Sequence, residues 1–309
     1  MTGREILQLF GLQTETEPVS IYPFSPVYRV ELIGKEMVIK KTQRPLEKAE
    51  RLFHYTTSLN ARGIDIVTPA AIAADNPQEA GEDVYVAYPF IEGRAYQGGR
   101  QEIYEAGKLL GSIHALSPES NTFSLPEYEV FDFTMEEVQE SVESIKAHAL
   151  NNNFELDALW LEEILDKAVD EQSKLQEEGL PSIATPHDYK ANNLIYTPQP
   201  YLIDPDNATW IPRIFDLALA LLLFHNELES APDAVFTPDE WKLFLTGYKE
   251  HIEITAAEEA NWEKAINHVF LDEVMWLMAE VDEDWERPSQ RSLFRSILQM
   301  MKENQRYRL

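Results

Sequence analysis

The sequence changes in texture near residues 91–100, and this change limits the folds open to the chain. Before it lie two short β-rich runs, at residues 28–33 and 36–40, which predict a hairpin. After it, long segments with apolar residues at helical spacing predict a helical region. We therefore expect an α+β fold with a small β-rich N-terminal lobe, residues 1–92, and a larger, mostly helical C-terminal lobe, residues 93–309.

The remaining predicted elements follow the same division. The first region also predicts a helix at residues 45–60 and strands at 64–74 and 84–91. In the second region helical periodicity predicts helices at Glu102–Leu116, Met135–Leu150, Glu155–Glu178, Pro212–Glu229, Pro238–His251, Ala256–Val281 and Pro288–Arg306. Residues 183–208 are the exception, because short apolar runs alternate there with Pro, Asn and Asp, as in loops and short strands.

Charge and cysteine content exclude several functional classes. The 309 residues include 54 Asp and Glu against 26 Lys and Arg, a net charge of −28, which argues against nucleic-acid or anionic-membrane partners and favours cationic ones. The absence of cysteine excludes a thiol nucleophile and a thiolate zinc site. The apolar stretch Leu217–Phe224 is far shorter than the roughly 18 residues of a membrane span, and no export signal is evident. We expect a cytoplasmic protein.

The polar island at residues 183–208 carries the candidate chemistry. Asp188, Lys190 and Asn193 form a D-x-K-x-x-N pattern, and Asp204 follows in the run I-D-P-D. Phosphoryl transfer needs one carboxylate to accept the proton of the attacking hydroxyl, and amide and carboxylate oxygens to hold the magnesium that bridges nucleotide phosphates. Loops that leave adjacent short strands can bring these groups to one site.

This arrangement resembles the aminoglycoside phosphotransferase and choline kinase-like family of the protein-kinase-like superfamily, with its H-G-D-x-x-x-x-N and I-D-x-[DE]-x-A loops. P-H-D-Y-K-A-N-N and I-D-P-D-N-A stand in those places here, although the histidine directly precedes the aspartate. The resemblance implies a two-lobed kinase-like fold. It also implies that Asp188 is the catalytic base, that Asn193 and Asp204 are magnesium ligands, and that Asp206 is a supporting or second-metal carboxylate. Lys190 is expected to contact the transferring phosphate.

The N-terminal region carries the matching nucleotide elements. Val38-Ile39-Lys40 resembles the V-x-K strand whose lysine reaches the α- and β-phosphates. We expect the following helix to supply its glutamate partner, and choose Glu50 because helical spacing places it with Phe53 on the inward face. The family's nucleotide loop corresponds to Tyr22–Pro26, which contains Ser25 and no glycine.

The resemblance also suggests where the adenine and the acceptor bind. The backbone of residues 88–90, with Tyr88 and Phe90, matches the linker that meets the adenine edge. Asp216 matches an aspartate that is usually structural, and His114 is expected to be a packed core histidine. The acceptor site is expected to draw carboxylates from Glu280, Asp282, Glu283, Asp284 and Glu286.

These features predict a kinase that uses magnesium and ATP or GTP to phosphorylate a hydroxyl of a small, cationic molecule, such as an aminoglycoside, choline or another amino alcohol or sugar. A segment at residues 47–93 also resembles spore-coat kinase-like proteins, which leaves open a weakly active binding or scaffold protein. A Ser/Thr protein kinase is disfavoured, since too few residues follow Asp204 for an activation loop.

Overall fold

The chain before residue 90 is built around a four-stranded antiparallel sheet. The computed structural model describes residues 1–22, 25–32 and 34–309, except for the side chains of 276, 277 and 282. The strands, in the spatial order β1-β2-β4-β3, are β1 (Val27–Leu32), β2 (Lys35–Thr42), β3 (Gln78–Ala80) and β4 (Asp83–Pro89). The helices of this region are α1 (Gly3–Leu9) and α2 (Leu46–Ala61). The predicted hairpin and helix are confirmed.

Alternation along β4 gives the sheet two different faces. Tyr85 and Ala87 belong to a small core that α1 completes, whereas Val86 and Tyr88 face the larger core that includes α2. Lys40 of β2 lies directly opposite Val86 in the β2–β4 ladder. Because paired residues point to the same side of a sheet, the Lys40 side chain emerges on the face that meets the rest of the molecule.

The chain after residue 99 is mostly helical. Its helices are α3 (Arg100–Ala115), α4 (Met135–Asn151), α5 (Ala158–Glu177), α6 (Arg213–Leu223), α7 (Pro238–Tyr248), α8 (Ala256–Val269), α9 (Met275–Glu280), α10 (Asp282–Glu286) and α11 (Pro288–Lys302). Two antiparallel pairs, β5 (Ser182–Thr185) with β8 (Thr209–Pro212) and β6 (Leu194–Tyr196) with β7 (Pro200–Leu202), flank the polar island. The α+β class predicted from the sequence is confirmed, whereas a lobe boundary at residues 92 and 93 stays a prediction.

The most apolar stretch of the chain is a core helix. Every residue of α6 from Ile214 to Leu223 is buried, which explains why all of them except Asp216 are apolar. Within the described ranges, no helix is both long enough and apolar enough to cross a membrane.

Glycines bring α3 and α7 into close contact. A Cβ atom at Gly107 of α3 would overlap the backbone of Phe244, and one at Gly247 of α7 would overlap the backbone of Tyr104. The two helices therefore pack backbone to backbone. This contact holds His114 of α3 beside Tyr248 of α7, with 2.8 Å between His114 Nδ1 and the Tyr248 hydroxyl.

Three predicted elements differ from the structure. Residues 64–74 form no strand; their backbone makes isolated bonds, such as Val67 N–H to the Leu202 carbonyl, and Pro69 has no N–H for a ladder. The helix predicted at Pro212–Glu229 ends at Leu223. The helix predicted at Ala256–Val281 widens into a π-helical turn at Phe270–Val274. Wide turns of this kind often occur at functional sites.

Candidate active site

A cavity of about 420 Å³ lies between the sheet and the polar island. The sheet side contributes Val38, Lys40, Tyr88 and Phe90, and the island contributes Asp188, Lys190, Asn193 and Asp204. Three predicted nucleotide residues (Lys40, Tyr88 and Phe90), two predicted metal ligands (Asn193 and Asp204), the predicted phosphate contact Lys190 and the predicted base Asp188 therefore border one cavity. Its volume is in the range of small-molecule sites.

Lys40 is the cationic centre of this cavity. Its ammonium lies 2.6 Å from Asp204 Oδ1 and 3.1 Å from Asp206 Oδ2, and the side chain is 13% exposed. Burial alone would lower the Lys40 pKa, but the carboxylates of Asp206 and Asp204 outweigh it, so the Lys40 pKa is raised. Lys40 is thus held as a cation between two carboxylates of the I-D-P-D run, residues 203–206, which is called the metal loop below because its ligand role is predicted.

The prediction that Glu50 faces inward is wrong. α2 buries Ala49, Leu52, Phe53 and Thr56, and Glu50 is exposed. The buried face is thus centred about one residue away from the face deduced from periodicity, a difference of roughly 100° around the helix. The ion-pair partners of Lys40 lie in the metal loop instead.

The adenine-side residues are only partly arranged as predicted. Tyr88 and Phe90 line the cavity, and the Tyr88 hydroxyl donates to Asp206 Oδ1 at 3.3 Å. The Phe90 N–H, expected to face the adenine, donates to the Glu36 carbonyl at 3.0 Å. Ser25 does not line the cavity, and its carbonyl accepts from the Ser20 hydroxyl at 3.1 Å. Pro23 and Phe24 of the glycine-free loop lie outside the described residues.

The loop after β5 presents the predicted base through an unusual backbone. His187 and Asp188 have φ angles of +56° and +46°, a conformation that non-glycine residues adopt only where the surroundings enforce it. The Tyr189 hydroxyl fixes the loop by donating to the Ala106 carbonyl at 2.8 Å. Burial raises the pKa of Asp188, and Lys190 opposes that increase. A carboxylate with a raised pKa is a better proton acceptor.

Asp216, at the start of α6, anchors this backbone. Its Oδ1 lies 2.9 Å from His187 Nδ1, and its Oδ2 lies 2.8 Å from His114 Nε2 and accepts from the Thr185 hydroxyl at 3.0 Å. Burial alone would raise the Asp216 pKa, but the hydrogen bonds from the two histidines hold it well below its usual range. His114 is thus the packed core histidine expected from the sequence.

His187 carries a positive charge in this environment. Burial alone would lower its pKa, but the carboxylates of Asp216 and Glu273 raise it to about 10. Glu273 Oε1 lies 3.7 Å from His187 Nε2, on the opposite side of the ring from Asp216. The imidazolium therefore joins the loop after β5, which carries the predicted base and is called the catalytic loop below, to the π-helical turn that carries Glu273.

A second cavity, of about 500 Å³, lies on the other side of Asp188. Its ionisable lining residues, apart from Tyr128, are Asp188, Glu227, Glu273, Lys190 and His187. Neither Glu227 nor Glu273 was predicted from the sequence. An Asp272-Glu273 pair inside the apolar run V-F-L-D-E-V-M-W-L-M was the available signal for Glu273, whereas nothing local distinguishes Glu227.

The acidic run chosen for the acceptor site does not reach this cavity. Asp284 is buried and paired with Arg287, and Glu283 and Glu286 are exposed. Glu280 borders a separate depression beside Asp272. The side chain of Asp282 lies outside the part that the structure describes. None of the described members lines the cavity beside Asp188, so their part in acceptor binding stays a prediction.

The polar island has donor atoms that suit magnesium. The Asn193 amide nitrogen donates to the Asp188 carbonyl at 3.0 Å, which leaves its oxygen as the ligand atom. Asp204 lines the same cavity. Across the described residues, no three His, Cys, Asp or Glu side chains form a metal site by themselves. An amide and one carboxylate nevertheless fit magnesium, since this ion usually completes its shell with waters and nucleotide phosphates.

Comparisons with known proteins place this geometry in a family. The sequence model of the phosphotransferase enzyme family matches residues 24–251. A search of curated protein sequences gave no match.

Solved structures of similar fold cover nearly the whole chain. A microcompartment-associated aminopropanol kinase has a TM-score of 0.66 at 14% identity, covering 98% of this chain and 96% of its own. An aminoglycoside phosphotransferase from Alicyclobacillus acidocaldarius has a TM-score of 0.66 at 14% identity, covering 99% and 94%. A choline kinase from Streptococcus pneumoniae has a TM-score of 0.57 at 15% identity, covering 93% and 94%. The predicted kinase-like fold is confirmed, and the chain belongs to the phosphotransferase enzyme family.

Proposed function

We propose that the protein is a magnesium-dependent kinase that transfers the γ-phosphate of ATP or GTP to a hydroxyl of a small cationic amine. One observation carries the proposal: Asp188 and Lys190 line both cavities. A carboxylate at such a boundary can contact an acceptor hydroxyl on one side and face the nucleotide on the other. This is the arrangement that in-line transfer between two substrates requires.

The residues of the first cavity have the chemistry to bind the nucleotide. Lys40 binds the α- and β-phosphates, and Asp206 supports Lys40 as its second carboxylate partner. Asn193 and Asp204 would hold magnesium, which when bound with the nucleotide neutralises phosphate charge. Tyr88 and Phe90 form the wall on the sheet side. Glu50 has no part in this proposal, since it is exposed.

Asp188 acts at the boundary as the general base. It orients the acceptor hydroxyl and accepts its proton while the oxygen forms a bond to the γ-phosphorus and the bond to the nucleoside diphosphate breaks. Burial, which raises the Asp188 pKa, favours this proton transfer. Lys190 lies near enough to stabilise negative charge on the transferring group, because its ammonium is 3.2 Å from Asp188 Oδ2.

The charges of the second cavity favour a cationic acceptor. Three carboxylates, Asp188, Glu227 and Glu273, face the two cations Lys190 and His187. Carboxylates therefore outnumber cations at neutral pH, and the buried Asp216 carboxylate, 2.9 Å from His187 Nδ1, adds a further negative charge, which suits a cationic acceptor. The names of the similar structures, an aminopropanol kinase and a choline kinase, agree with such an acceptor.

The proposal is tested by measuring nucleotide turnover against a panel of amino alcohols, choline, aminoglycosides and neutral sugars, with ATP and GTP, with and without magnesium. We expect magnesium-dependent turnover with an amine. The acceptor KM should rise with salt, as the Debye length falls from about 10 Å at 0.1 M to about 3 Å at 1 M. Nucleotide binding without turnover on any acceptor would favour the binding-protein alternative, and a salt-independent neutral sugar would contradict the cationic acceptor.

A matched pair of variants tests the second cavity, called the acceptor cavity to distinguish it from the first, the nucleotide cavity. Glu273→Gln removes a carboxylate that lines the cavity, and should raise the acceptor KM about fivefold, the effect of losing a partly exposed ion pair. Glu283→Gln removes an exposed carboxylate of α10 that does not line it, and should leave KM unchanged. Equal effects of the two variants would show that only the overall charge matters.

A further inference from the structure

Lys190 is held between two carboxylates that come from different parts of the chain. Its ammonium lies 3.2 Å from Asp188 Oδ2 and 2.9 Å from Glu227 Oε2, and the side chain is only 14% exposed. Burial alone would lower the Lys190 pKa, but Asp188 and Glu227 raise it, so the group remains charged. Asp188 belongs to the catalytic loop, whereas Glu227 follows α6. Glu227 thus forms an ion pair with the same lysine that is paired with the predicted base.

The backbone at Glu227 is strained and fixed by its neighbours. Its φ angle is +62°, which costs energy for any residue with a side chain. The preceding two side chains are buried and bonded: His225 Nδ1 lies 2.7 Å from the Ala234 carbonyl, and Asn226 Oδ1 accepts from Gln290 Nε2 at 2.8 Å. These contacts hold the turn in the conformation from which the Glu227 carboxylate meets Lys190.

The two partners differ in which cavity they border. Lys190 lines both the nucleotide cavity and the acceptor cavity, while Glu227 lines the acceptor cavity and not the nucleotide cavity. Glu227 therefore holds the ammonium toward the acceptor side. In the proposed reaction the terminal phosphate of a nucleoside triphosphate lies beside Asp188, and the Lys190 ammonium is 3.2 Å from Asp188 Oδ2.

We propose that Glu227 is a positioning residue that competes with the terminal phosphate of the nucleotide for Lys190. This inference rests on the proposed nucleotide-binding function. A triphosphate must draw Lys190 away from Glu227, and this cost weakens its binding. A diphosphate has no terminal phosphate and leaves the Lys190–Glu227 pair intact. Glu227 thus lowers the affinity of the protein for a triphosphate relative to its affinity for a diphosphate.

The test is calorimetric titration of the full chain with magnesium ADP and with a magnesium β,γ-imido analogue of ATP. In Glu227→Gln the neutral amide releases Lys190, so the affinity ratio of analogue to ADP should rise about fivefold. Glu227→Asp, which keeps the charge but shortens its reach and tolerates the left-handed backbone, should raise the ratio less. Adding Lys190→Gln to Glu227→Gln should remove the increase.

Glu229→Gln is the matched control, since Glu229 is an exposed carboxylate two residues further along the same loop and does not line the acceptor cavity. Its ratio should equal that of the wild type. A structural role for Glu227 would change both affinities equally, and that result, or an unchanged ratio, would overturn the inference while leaving the kinase proposal intact. Failure of the wild type to bind either nucleotide would instead overturn the kinase proposal and the inference with it.

Discussion

The two sides of Asp188 draw their charged groups from different parts of the chain. On the nucleotide side one cation, Lys40, is shared by two carboxylates of the metal loop, Asp204 and Asp206. On the acceptor side two cations, Lys190 and His187, are distributed among carboxylates of the catalytic loop, α6, the turn after α6, and the π-helical turn. Each of these cations thus lies between two carboxylates, so both sides carry an excess of negative charge, and on the nucleotide side the phosphates proposed to bind there would add to it.

This difference separates the two proposed tasks. The nucleotide side should depend on magnesium, because phosphates and two carboxylates together repel one another without it. The acceptor side is proposed to bind no phosphate, so its own ion pairs can hold Asp188 in place without a metal. Variants on the two sides should therefore fail in different ways.

The largest effect is expected from Asp188→Asn. The amide keeps the size of the side chain but cannot accept the hydroxyl proton, so turnover should fall by roughly two to four orders of magnitude. Affinity for the nucleoside diphosphate should stay nearly unchanged, because the nucleotide-side cation and its carboxylates remain. Steady-state kinetics and calorimetry on the same preparation measure both. A parallel loss of nucleotide affinity would mean that the two sides are not separate.

A smaller effect, on binding, is expected from Asp204→Asn. This variant removes a proposed magnesium ligand. Loss of a residue that only supports a metal ligand weakens metal binding roughly 10- to 100-fold, so magnesium-nucleotide affinity should fall by at least that factor. Asp206→Asn is the matched control: it removes the other partner of Lys40 but does not line the cavity, so it should weaken binding less. Titrations with and without magnesium distinguish them, and equal losses would make Asp206 a metal ligand as well.

The sequence predicts the nucleotide side better than the acceptor side, for a physical reason. Asp188, Lys190, Asn193 and Asp204 lie within 17 residues of one another, and the short strands between them return the chain to the same cavity. Local spacing therefore carries most of that geometry, and the β2 lysine was recognisable from its strand.

The acceptor side depends on contacts that no local pattern records. Glu227 and Glu273 meet Lys190 and His187 only because α6 and the π-helical turn pack against the catalytic loop. Helical periodicity also misplaced Glu50, because a shift of one residue in the buried face of α2 is enough to expose it. The acidic run near α10 was conspicuous in the sequence, yet its described members do not line the cavity beside Asp188.

The pH dependence of stability gives the last test, and it concerns the charge of the acceptor side. His187 has a folded-state pKa of about 10, above the ordinary value near 6.5 that applies when the chain unfolds. Between these values the folded protein retains a proton that the unfolded chain has lost. The contribution of His187 is therefore fully present below about pH 6.5 and is lost as pH rises toward 10.

The free energy of unfolding should fall by about 1.4 kcal/mol per pH unit between pH 7 and 9. Urea denaturation across that range measures the slope, and His187→Asn, whose residue tolerates the left-handed backbone, should abolish it. A flat wild-type profile would mean that His187 is neutral, which would increase the excess of negative charge beside the acceptor cavity by one and favour an acceptor of higher positive charge.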